Sequence, residues 1–66
     1  MALELTTDQV RTIARLRRRW PRAEFRIHRR TGAVIIEVRE DGRTLSLTRF
    51  DAAGHIENER RLAWAA

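Results

Sequence analysis

Arg11, Arg15, Arg18, Arg19 and Arg22 recur at the three- and four-residue spacing that stacks side chains along one side of a helix. At about 100° per residue they share one arc, and Val10, Ile13, Ala14, Leu16 and Trp20 fill the opposite one. The chemistry open to such a row is binding. A guanidinium is a planar fork that meets phosphate or carboxylate oxygens two at a time. The five arginines are therefore the candidate nucleic-acid-binding residues, gripping phosphates without regard to base sequence. A helix with one apolar side must put something polar on the other, but here Asp8 is the helix's one acid. The absence of lysine among the 14 basic residues is what an alanine- and arginine-rich chain from a GC-rich genome would show. Such a bias does not gather five arginines on one arc.

No other residues have the types and spacing that catalysis needs. His28 and His55 are the only histidines, and no cysteine or spaced ligand cluster accompanies them, so a metal site is not indicated. Ser46 is the only serine and falls within an alternating run, not on a strained turn where a nucleophile would be presented. Gly32, Gly42 and Gly54 are isolated and cannot form a phosphate-cradling loop. The chain is expected to be no enzyme and to need no cofactor or metal.

The elements that would position the arginines are legible. Thr6 with Gln9 has the form of a capping box, and Pro21 breaks the helical pattern, so a helix is expected over about residues 7–20. Residues 24–30 and 33–39 alternate around Thr31-Gly32, and Asp41-Gly42 leads into a third run over 43–50. Closing the first hairpin sets Phe25 against Val38 and Ile27 against Ile36, with Arg26 opposite Glu37 and Glu24 opposite Arg39 on the other face. Closing the second sets Val38 against Leu45 and Ile36 against Leu47. After an Asp51–Gly54 turn, residues 55–64 read as a fourth strand with Ile56, Leu62 and Trp64 in phase, or alternatively as a helix.

The expectation is a single α+β domain over residues 1–66, with one N-terminal helix on a three- or four-stranded antiparallel meander (α-β-β-β-β, alternative α-β-β-β-α). Its core would hold Val10, Ile13, Leu16, Trp20, Phe25, Ile27, Val34, Ile36, Val38, Leu45 and Leu47. One helix then followed by three strands resembles the element order of double-stranded-RNA-binding domains if the tail is helical. That family's basic cluster at the start of its last helix has no counterpart, because residues 51–59 are acidic, so the likeness is one of topology and carries no function.

The outward sheet face would carry Arg26, His28, Arg30, Arg39 and Arg61 among Glu24, Glu37, Glu57 and Glu59, a pattern suited to salt-bridged ladders. Ile35 and Phe50, with His28, would form an exposed partner interface on that face, occupied by an acidic protein or by a second copy in a homodimer. No apolar run approaches the roughly 20 residues of a membrane span, and a cytoplasmic location is expected.

Overall fold

The computed structural model describes residues 5–62. Helix α1 (Thr7–Arg19) precedes four strands, β1 (Glu24–Arg30), β2 (Ala33–Glu40), β3 (Arg43–Phe50) and β4 (Ile56–Arg61). They form one antiparallel sheet in the order β1-β2-β3-β4. The arrangement is α-β-β-β-β, so the helical tail and the likeness of element order that depended on it both fall away. Trp64 lies outside the described residues.

Both ends of the helix follow from local chemistry. The Thr6 backbone N–H donates to Gln9 Oε1 at 3.0 Å, and Thr6 Oγ1 accepts from the Gln9 N–H at 3.3 Å, completing the capping box. Asp8 lies in the first turn and Arg17, Arg18 and Arg19 in the last, matching the helix dipole at each end. The tail is a strand because of the turn before it. Asp51 Oδ1 accepts from the Ala53 and His55 N–H groups, and Gly54 N–H donates to the Asp51 carbonyl at 2.9 Å. That closed turn aims residue 56 back along β3, where Ile56 pairs with Phe50.

The first hairpin has the expected register, with Phe25 opposite Val38 and Ile27 opposite Ile36. The second does not. Arg39 pairs with Thr44, but Val38 pairs with Ser46 and Ile36 with Thr48, leaving Leu45 as an extra residue at a β-bulge. The cause lies in the sequence Leu45-Ser46-Leu47-Thr48-Arg49-Phe50. Strict alternation from Leu45 would carry Arg49 to the helix side and Phe50 away from it. The bulge keeps Leu45 inward, buries Phe50 on the Val34 side of the sheet, and turns Leu47 and Arg49 outward. The loss of Leu47 from the core is offset by Phe50, which is 0% exposed. A second register shift, between Arg49 and Phe50, leaves Glu57 unpaired on β4 and puts Ile56 and Leu62 out of phase with each other.

The buried centre joins Leu16, Val38 and Leu45, with Trp20, Ala23 and Phe25 packed at its side and Ile36 and Phe50 fully enclosed. The helix meets the sheet through Gln9, Thr12 and Leu16, a face rotated from the one expected. Val10, expected in the core, is 52% exposed. Two polar residues can take the buried positions because their hydrogen bonds are satisfied locally. Gln9 is held in the capping box, and Thr12 Oγ1 donates to the Asp8 carbonyl at 2.8 Å.

Candidate nucleic-acid interface and the open sheet face

The helix carries Arg11, Arg15, Arg18 and Arg19 but ends before Arg22, and the five candidate arginines stand in different situations. Arg15 is committed to the sheet. Its Nη2 meets Glu59 Oε1 at 2.6 Å and its Nη1 meets Oε2 at 3.2 Å, a two-pronged pair that ties α1 to β4. Thr48 Oγ1 donates to the same carboxylate at 3.0 Å. The Arg15 guanidinium, helped by that hydroxyl, holds the Glu59 carboxyl below the usual carboxylate range. Arg19 lies over the Trp20 ring, 5.6 Å from its centre, as Arg17 lies over Phe25 at 4.9 Å. Arg22 follows Pro21 beyond the helix and shares the rim of a polar depression of about 530 Å³ with Glu24, Glu40 and Asp41. Arg11 and Arg18 are exposed, and no ion pair engages either among the described residues.

Charge is distributed unevenly over the chain. Residues 7–22 hold six arginines and one aspartate, while the remaining residues hold eight arginines and eight carboxylates. The net charge of +5 therefore belongs to the helix and the turn after it. Asp8, the one acid in that segment, faces His55 Nδ1 at 3.1 Å, and this hydrogen bond raises the His55 pKa. The same end of the helix is fastened by Thr6 Oγ1, which donates to the Gly54 carbonyl at 2.9 Å.

The sheet face away from the helix carries charge pairs, but with partners other than those expected, and Glu59 and Arg61, expected on this face, lie on the helix side opposite Thr48 and Ser46. Arg26 pairs with Glu24 on its own strand at 2.6 Å, not with Glu37 across from it, and the Glu24 carboxylate raises the Arg26 pKa. Glu37, only 8% exposed, accepts from Thr44 Oγ1 at 2.5 Å and lies 2.8 Å from His28 Nε2 and 3.6 Å from Arg39 Nη1. The Thr44 and His28 hydrogen bonds depress the Glu37 pKa. Arg49 pairs with Glu57 at 3.6 Å.

Of the three residues expected at a partner interface, His28 and Ile35 face outward and Phe50 does not. In place of Phe50 the face presents Leu47 and Leu62, the latter 44% exposed. The overlooked signal was Arg49, which could not follow Leu45 and Leu47 inward. Among the described residues no group of histidine and carboxylate side chains is placed to hold a metal ion, and no helix is long and apolar enough to cross a membrane. No protein-family model, curated protein or solved structure matches the chain.

Proposed function

We propose that the protein binds nucleic acid through the outer side of α1, with Arg11 and Arg18 as the central phosphate contacts and Arg15, Arg19 and Arg22 at their flanks. The observation that carries this reading is the concentration of the whole net charge in residues 7–22, with its two central arginines unopposed by any described carboxylate. Seven residues of helix separate Arg11 from Arg18 by about 10 Å, far enough apart for each to meet a different phosphate. Gln9, the one amide side chain on the helix, is held in the cap and buried. The ridge thus lacks the amide that pairs with adenine edges, and binding tolerant of sequence is expected.

Fluorescence anisotropy with labelled duplex DNA and duplex RNA, each at low and raised salt, tests this. Affinity should fall steeply with salt, and the double variant Arg11→Ala/Arg18→Ala should flatten the log–log slope by about 2 while unfolding as the parent does. Arg15→Glu is a poor probe, because it sets a second carboxylate against Glu59. Absence of binding to either duplex at low salt, or a slope unchanged in the double variant, refutes the proposal.

A further inference from the structure

The face of the sheet opposite α1 has an apolar floor inside a basic rim. Ile35 and Leu47, both half-buried, and the more exposed Leu62 line a shallow depression of about 320 Å³, with His28, Arg30 and Thr44 at its edge. Glu37 is the carboxylate in this depression; hydrogen bonds from Thr44 and His28 and the nearby Arg39 guanidinium leave it nearly enclosed and its charge opposed. Arg30 and Arg60 are exposed on the same face, Arg60 directly opposite Leu47, and neither meets a carboxylate among the described residues. We infer that this face docks a short acidic segment of a partner protein, with an aliphatic or aromatic side chain seated on Leu47 and Leu62 and flanking carboxylates meeting Arg30 and Arg60.

Three observations select that occupant. The described part of the face carries no phenylalanine, tyrosine or tryptophan, since Phe25 and Phe50 belong to the helix side, and its one imidazole, His28, is engaged by Glu37, so it offers a poor platform for stacked bases. A nucleic acid would also leave the leucines unfilled. A second copy laid face to face would bring one net-positive surface against another, with Arg30 and Arg60 on both sides. Four strands about 4.8 Å apart and some seven residues long present on the order of 400 Å², about half of what each partner gives to a stable interface of ordinary size. That extent suits a peptide segment better than a folded domain.

Selection of random nine-residue peptides displayed on phage, against the whole protein, tests the inference. Enriched peptides should carry a leucine, isoleucine or phenylalanine flanked by aspartate or glutamate. Their synthetic versions should lose roughly tenfold in affinity for Arg30→Glu/Arg60→Glu, two exposed positions where folding is not at stake, and should bind Leu47→Asp still more weakly. The ridge variant Arg11→Ala/Arg18→Ala should keep its peptide affinity, which separates this surface from the nucleic-acid proposal. Failure to enrich any peptide, enrichment without the acidic and apolar pattern, or binding that survives Arg30→Glu/Arg60→Glu overturns the inference. So does a concentration-dependent doubling of mass in light scattering that Leu47→Asp abolishes, which gives the face to a second copy. A loss of duplex affinity in Arg30→Glu/Arg60→Glu as large as that in the ridge variant also overturns it, giving the face to nucleic acid.

Discussion

Replacing Gly54 by alanine should be far more damaging than the same change at the other two turn glycines. All three have positive φ, 86° at Gly54, 71° at Gly32 and 73° at Gly42, so each alanine incurs the left-handed backbone cost of about 1–2 kcal/mol. At Gly32 and Gly42 the new methyl meets nothing within 4 Å. At Gly54 it would overlap Thr6 Cγ2 outright and fall 2.8 Å from Thr6 Oγ1. Thr6 must then swing away, giving up its cap on Gln9 and its hydrogen bond to the Gly54 carbonyl, a further loss of about 1 kcal/mol for the cap alone. Gly54→Ala should therefore cost about 2–4 kcal/mol, lowering the thermal midpoint by roughly 10–20 °C against roughly 5–10 °C for Gly32→Ala. Circular dichroism of the three variants measures this. A cycle with Thr6→Ala isolates the contact, because removing the Thr6 γ-atoms should shrink the extra penalty. A Gly54→Ala midpoint equal to that of Gly32→Ala would refute the steric reasoning.

Two more outcomes concern ionisation. The Glu59 pKa is depressed chiefly by Arg15, so the pair adds stability above the unfolded carboxylate pKa and loses it as pH falls through the lower folded value. Arg15→Ala should be less stable than the parent by about 0.5–1 kcal/mol at neutral pH, and the gap should close in acid; in urea unfolding, a gap independent of pH counts against the pair. The His55 pKa is raised by Asp8, so its contribution is present below the unfolded histidine pKa and lost as pH rises through the folded value. An NMR titration should place His55 above the ordinary 6.5 or so and return it toward that value in Asp8→Asn; a midpoint at or below the ordinary value speaks against the contact.

The fold was legible where sequence signals were local. Thr6, Gln9 and Pro21 mark the helix, and Thr31-Gly32 sets the β1–β2 register without ambiguity because both flanking strands alternate cleanly. What escaped was decided by competition between distant groups. Gln9 and Thr12 look like surface residues until their amide and hydroxyl bonds are seen to be satisfied within one helical turn. The place of Phe50 depends on whether β3 tolerates an extra residue, and the weakened status of Arg15 depends on Glu59, 44 positions away. The arginine side of the helix was readable as a pattern. Its division into committed and unopposed guanidiniums required the sheet.

The bulge at Leu45 also means that the inside and outside of the protein cannot vary independently. Every β3 side chain beyond it owes its orientation to that single supernumerary residue. Laid into an uninterrupted hairpin with Leu45 kept opposite Val38, the same residues would put Leu47 toward α1 and Thr48 and Phe50 on the opposite side, whereas deleting Leu45 would keep Ser46 opposite Val38 and leave both faces as they are. The same six residues thus encode two inversely related surfaces. Loss of the bulging residue would leave the greasy exterior where it is, whereas loss of the bulge with every residue kept would exchange that exterior for a greasy interior.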